Sequence, residues 1–195
     1  MEHQESDERL LENAAKGETK AFQVLYERYR DPIFRFAYRM LGSAEAAEDV
    51  THDCFLSLIR DPNRFDKIKA SLRTYLFAAA RNQSAKRYLN FNREAPLDDY
   101  SETFSSPDSH QPSQRVLDNE LAAEVRRAIA SLPPLQREAL VLFEYEDLSL
   151  AEIGDIVGVD SNTVKARLFR ARDKLRASLG RYFRTGRETA TVRRA

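Results

Sequence analysis

The sequence holds 195 residues with zero formal net charge, 42% hydrophobic and 32% charged residues, six glycines and one cysteine. This length suits one large domain or two small ones, and the high charge with scarce glycine favours helices and excludes a large sheet. The lone Cys54 excludes an intramolecular disulfide, no apolar run is long enough for a bilayer, and the acidic start MEHQESDERL is no signal peptide, so a cytoplasmic chain without membrane insertion is expected.

Residues 7–16 read as a short helix closed by Gly17, and residues 18–30 as another with Phe22, Leu25, Tyr26 and Tyr29 at helical spacing. Asp31-Pro32 fits an N-cap and first position of a third helix, which carries Ile33, Phe36 and Leu41 and stops at Gly42. Ser43 caps the next helix, which runs to about Arg60 before Asp61-Pro62. On it Ala47, Val50, Cys54 and Leu58 share one side, while Glu45, Asp49, His52, Asp53 and Leu56 share the other. That acidic face with a leucine suits docking on a basic partner, and equally an ordinary solvated surface. His52, Asp53 and Cys54 make no metal site, because Cys54 points away from its two neighbours; His3 and His110 lie in polar tails.

A loop, PNRFDKIKAS, leads into a helix from about Leu72 to Phe91, where Tyr75, Ala79, Asn82 and Lys86 line one face with Arg81 and Arg87 nearby. Rings that stack on bases and cations that track phosphates are what a single-stranded nucleic acid needs, although the same residues also make an ordinary surface. Asn63, Arg64, Phe65 and Lys67 of the loop could hold a base turned out of the duplex. Residues 92–113, rich in Ser, Pro and Asp, read as a flexible acidic linker. Helical pattern resumes near Gln114, breaks at Leu132-Pro133-Pro134 and continues from Gln136 to Tyr145.

The stretch from Leu148 to Leu179 is the most informative. Ser149 and Glu152 spell a capping box, Leu150, Ile153 and Val157 form an apolar face, Gly158 supplies a turn, and Asp160 caps a second helix. This is a helix-turn-helix. Val164, Leu168, Ala171 and Leu175 line the core side of the second helix. Its opposite side carries Asn162, Ala166, Phe169 and Arg170, flanked by Lys165, Arg172 and Arg176 on one edge and by Thr163, Arg167 and Lys174 on the other. A narrow face for base edges between two cationic edges fits the major groove, and Phe169 suits a thymine methyl. From Ser161 onward eleven basic residues face only Asp173 and Glu188, so the neutral total hides a basic end.

The segments AFQVLYERYRDPIFRFAYRMLG, AEDVTHDCFLSLI and SLRTYLFAAARNQ resemble region 2 of the extracytoplasmic-function (ECF) sigma factors of the sigma-70 family. SLPPLQREALVLFEYEDLSLAEIGDIVGVDSNTVKARLFRARDKL resembles their region 4. The resemblance implies an all-α chain of two small helical domains joined by a flexible linker: a region 2-like domain over 1–91, the linker over 92–113, a helix-turn-helix region 4-like domain over 114–180 and a basic tail over 181–195. It also implies a dissociable subunit of bacterial RNA polymerase, without catalytic residue, cofactor or metal, whose partners are core polymerase, promoter DNA and an anti-sigma factor. Carried over, Glu48, Asp49, His52, Asp53 and Leu56 would meet the polymerase. Asn63, Arg64, Phe65, Tyr75, Ala79, Asn82 and Lys86 would melt and read the −10 element. Asn162, Thr163, Lys165, Ala166, Arg167, Phe169 and Arg170 would read the −35 element. Three positions depart from the family pattern: His52 replaces a common Gln, Tyr75 a usual Trp that it can still match in stacking, and Ala166 a frequent Ser. The rival reading is a transcriptional regulator that binds duplex DNA through the helix-turn-helix and uses its first half for sensing or dimerisation. An enzyme lacks support, since no nucleophile–base pair or phosphate loop is visible.

Overall fold

A computed structural model describes residues 5–61, 65–94 and 114–192, with eight helices and no strand among them. Asn63, Arg64 and residues 95–113 lie outside the described residues. The helices are α1 (Asp7–Ala15), α2 (Thr19–Leu41), α3 (Ala44–Arg60), α4 (Leu72–Glu94), α5 (Gln114–Ala130), α6 (Pro134–Glu144), α7 (Leu150–Val157) and α8 (Ser161–Val192).

Where local capping chemistry is strong, helix ends fall where the sequence puts them. Ser6 accepts from the Arg9 N–H at the start of α1, and Ser43 accepts from the Ala46 N–H at the start of α3. Gly42, at φ 73°, closes α2 in the left-handed conformation that glycine takes without a Cβ penalty.

The expected break at Asp31-Pro32 does not occur: α2 runs unbroken through Pro32. A proline inside a helix costs about 3 kcal/mol. Against it stands one buried stripe, Leu25, Tyr29, Ile33, Phe36 and Ala37, that continues across the proline. Each large apolar side chain removed from water contributes about 1.5–3 kcal/mol, so packing outweighs the lost hydrogen bond. Helix α8 likewise continues to Val192, through the backbone of the basic segment after Gly180.

In the first half, α2 packs on α3 and α4, and α1 crosses α2. Its core holds Leu25, Ile33, Phe36, Val50, Cys54, Leu58, Leu72, Leu76 and Phe77, with Phe36 and Phe77 edge to face at 5.8 Å. In the second half α8 packs on α6 and α7, burying Leu142, Leu148, Ile153, Val164, Leu168 and Ala171. The two halves lie in contact, α4 against α7 and α2 against α5 and α6.

Candidate nucleic-acid interface

The α7–α8 unit is built by three local devices. The Ser149 hydroxyl accepts from the Glu152 N–H, and the Glu152 carboxylate in return accepts from the Ser149 N–H at 2.8 Å and its hydroxyl at 2.7 Å. Those bonds hold the Glu152 carboxyl below its usual range. Gly158, at φ 72°, turns the chain. Asp160 then accepts from the Thr163 N–H at 2.9 Å and from its hydroxyl at 2.7 Å, and these bonds lower its pKa too. Gly154 was not apparent from local pattern: it is buried inside α7, and a Cβ there would sit 2.7 Å from the Val159 carbonyl oxygen. A glycine in the middle of a short apolar helix is the only hint the sequence carries.

On α8, Val164, Leu168 and Ala171 are buried and Leu175 is half-buried, leaving Asn162, Lys165, Phe169 and Arg170 exposed on the outward side. Phe169 is 69% exposed, a cost in water that an apolar ligand surface would relieve. Ala166 is half-buried beside them. Two other candidates are engaged internally. Thr163 spends its hydroxyl on the Asp160 cap, and Arg167 is half-buried, with Nη1 out of water and its charge lowering the pKa of Glu138 against the rise that burial causes. Arg172, expected on one edge, donates instead to Glu144 at 2.6 Å and 3.0 Å and lies over the Phe143 ring.

On α4, Asn82 and Lys86 are exposed, while Tyr75 and Ala79 are half-buried. Phe65 packs its ring against that of Tyr75, so the loop residue and the helix residue form one aromatic unit. Lys67 pairs with Glu12 of α1 at 3.0 Å, which holds the loop to the first helix. Ile68, absent from the expected set, stands 92% exposed in a turn whose N–H donates to Asp66 Oδ1 at 3.0 Å. The cations near this face are committed elsewhere. Arg81 reaches Glu138 at 3.2 Å, and Arg87 reaches Asp53 of α3 at 2.9 Å.

On α3, Glu48, Asp49 and His52 are exposed, and Asp53 and Leu56 are half-buried, so the acidic face is continuous. Cys54 faces the core, where burial pushes its thiol up to about 12 and keeps it protonated.

A capped helix-turn-helix that turns a cationic and aromatic helix face outward, coupled to a second helical unit, has the build of a DNA-binding protein. Comparison with known proteins agrees. Residues 25–94 match the model of sigma-70 region 2, and residues 122–175 match that of sigma-70 region 4. The ECF RNA polymerase sigma factor SigW of Bacillus subtilis is 31% identical over 179 residues, 87% of this chain and 94% of the relative. The ECF RNA polymerase sigma-E factor of Escherichia coli K12 is 33% identical over 184 residues, 90% of this chain and 95% of the relative. Among solved structures, CnrH in complex with the cytosolic domain of CnrY superposes with a TM-score of 0.68 at 25% identity, covering 90% of this chain and 98% of that one. The sigma factor RpoE in complex with the anti-sigma factor NepR from Bartonella quintana gives 0.64 at 25% identity, with 83% and 98% covered. The chain belongs to the ECF sigma factors of the sigma-70 family. It is a promoter-recognising transcription initiation factor.

Proposed function

We propose that the second half reads the −35 element as duplex through the outward face of α8, while the first half captures unstacked bases of the −10 element through α4 and the loop before it. The observation that carries this reading is the group Asn162, Lys165, Phe169 and Arg170, left in water on the second helix of a capped helix-turn-helix. Arg170 donates to base edges, Lys165 meets a phosphate and Phe169 covers an apolar base surface. On α4 the Phe65–Tyr75 pair supplies the stacking platform, with Asn82 as hydrogen-bonding group and Lys86 as phosphate contact. Thr163, Ala166 and Arg167 border the duplex-reading face, Ala79 borders the platform, and Asn63 and Arg64 adjoin it in sequence. The acidic face of α3, with Glu48, Asp49, His52, Asp53 and Leu56, docks on a basic surface of core polymerase. Promoter opening then draws on the binding energy of the captured bases, so the chain acts without catalytic residue, cofactor or metal.

The protein works in the cytoplasm, where polymerase and chromosome are. The likeness to a sigma factor solved with its anti-sigma partner supports an anti-sigma factor for this chain as well. The test is run-off transcription with purified core polymerase over a promoter library. Defined start sites from this chain plus core alone bear the reading out. Binding to duplex sites with no transcription would favour a regulator instead.

A further inference from the structure

A cavity of about 460 Å³ opens between α2 and α5, and none of its described lining residues belongs to α4 or α8, the helices assigned to nucleic acid. Its α2 wall carries Phe34, Arg35, Tyr38 and Arg39, with the Phe34 and Tyr38 rings nearly parallel at 6.1 Å. Its α5 wall carries Ala123, Val125, Arg126 and Ile129, and Tyr145 stands between the two. Ligand cavities typically measure about 300–1,000 Å³ and are lined mainly by apolar and aromatic side chains, as this one is. Val125, Ile129 and Tyr145 also line a second cavity of about 400 Å³ that reaches Leu175 of α8. Apolar space thus continues along the underside of α5.

The charge around this space is one-sided. Five arginines line the first cavity, at positions 35, 39, 126, 127 and 137, and no Asp or Glu does so among the described residues. Two of the five are spoken for: Arg127 pairs with Glu124 at 2.7 Å, and Arg137 donates to the Met40, Ala130 and Leu132 carbonyls. Arg35 and Arg39 share the carboxylate of Glu146, at 3.8 Å and 3.7 Å, and Arg39 lies over the Tyr145 ring at 4.0 Å. Arg126 is exposed and has no ion-pair partner among the described residues. A cationic excess on Arg35, Arg39 and Arg126 therefore borders an apolar cavity.

We propose that this cavity binds a long-chain carboxylate, with the acyl chain along the underside of α5 and the head group among Arg35, Arg39 and Arg126. The arginines call for an anion, and the interior decides which kind. Apart from the arginines and the hydroxyls of Tyr38 and Tyr145, the described lining has no polar side chain. The ring nitrogens and exocyclic groups of a nucleotide base would lose water there without hydrogen-bond partners, a cost that an acyl chain does not incur. The Arg35 side chain is 49% exposed and Arg126 is exposed, so the head group is paired at the edge of the cavity without full desolvation. This site goes beyond the promoter-reading assignment and does not depend on it.

Calorimetric titration of the full chain with dodecanoate, kept below its micelle concentration, should give one saturable site per chain. Octanoate, four methylenes shorter, should bind on the order of a hundredfold more weakly, because each buried methylene is worth about fourfold. Dodecanol, with the same chain and no charge, should bind roughly tenfold to a hundredfold more weakly, the worth of hydrogen bonds to charged groups. Arg126→Glu should weaken dodecanoate roughly tenfold for the same reason, and Ala123→Phe should abolish binding by filling the cavity. Helical circular dichroism should be unchanged in both variants. A spin-labelled dodecanoate should broaden the NMR signals of Val125 and Ile129 and spare Val159, next to the far end of α8. Absent or multiple weak binding, equal binding of dodecanol, or binding untouched by both variants overturns the assignment. So does tight binding of guanosine monophosphate with none of dodecanoate, which would make the site one for nucleotides. If Ala123→Phe does not fold, Arg126→Glu and the spin label decide the matter.

Discussion

Phe65 and Tyr75 meet edge to face with ring centroids 5.7 Å apart, tying the loop ahead of α4 to the first turn of that helix. If this pair is the platform for an unstacked base, Tyr75→Ala loses both a stacking surface and the support of Phe65. A stacked base is worth about 1–3 kcal/mol, so affinity for the −10 single strand should fall roughly tenfold to a hundredfold. Tyr75→Phe should keep most of it. Anisotropy with a labelled oligonucleotide distinguishes the two, and equal loss in both variants would mean that the hydroxyl matters rather than the ring.

Arg170 and Lys165 sit on the same exposed face of α8 but are assigned different work. Arg170→Ala is expected to cost about 1–3 kcal/mol at one or two −35 positions and little elsewhere. Lys165→Ala should weaken all sequences evenly and flatten the salt dependence by about one unit of slope. Binding measured over single-base substitutions of the element at two salt concentrations checks both, and a uniform loss in Arg170→Ala would reverse the assignment.

Arg87 holds Asp53 at 2.9 Å and lies 3.8 Å from Asp49, so two carboxylates of the surface proposed to dock on polymerase are steadied from α4. The pair is partly in water and is worth no more than about 1 kcal/mol of stability. Arg87→Ala should therefore leave the melting temperature nearly unchanged. Asp49→Ala with Asp53→Ala, in contrast, should weaken holoenzyme assembly with a marked dependence on salt, measurable by competition against a second sigma factor.

Gly154 inverts the usual rule for glycine in a helix. Replacing such a glycine by alanine ordinarily gains about 1 kcal/mol. Here the new Cβ would lie 2.7 Å from the Val159 carbonyl oxygen, backbone that cannot move without unseating the turn around Gly158. Overpacking of this kind costs about 1–3 kcal/mol, so Gly154→Ala should lower the melting temperature and weaken −35 binding together. A stabilised variant would show that the turn can shift.

The Glu152 carboxyl is held below its ordinary value of 4.5 by the hydroxyl and N–H of Ser149. A lowered folded-state pKa means that the unfolded chain binds more protons between the depressed value and 4.5. The stabilisation is thus present in full above about pH 4.5 and is lost as pH falls through the depressed value. Glu152→Gln should abolish that part of the acid limb in a pH series of thermal melts, while leaving the neutral-pH helix content close to wild type. An unchanged acid limb would assign it to other carboxylates.

Much of the duplex-reading unit was legible in the residues themselves. Ser149, Glu152, Gly158 and Asp160 act on backbone groups within four positions of themselves, and Val164, Leu168 and Ala171 mark a buried face by period alone. The acidic and apolar sides of α3 follow from the same local rule. What lay beyond it was decided by partners far along the chain. Pro32 stays inside α2 because the stripe from Leu25 to Ala37 packs on α3 and α4. Arg81 turns to Glu138, and Arg73 meets the Glu146 carbonyl across 73 residues of sequence. Helical periodicity and capping are rules of a single turn, so they can be read from neighbours. A charge's partner, or a glycine's clearance, is set by whichever distant surface the folded chain lays against it.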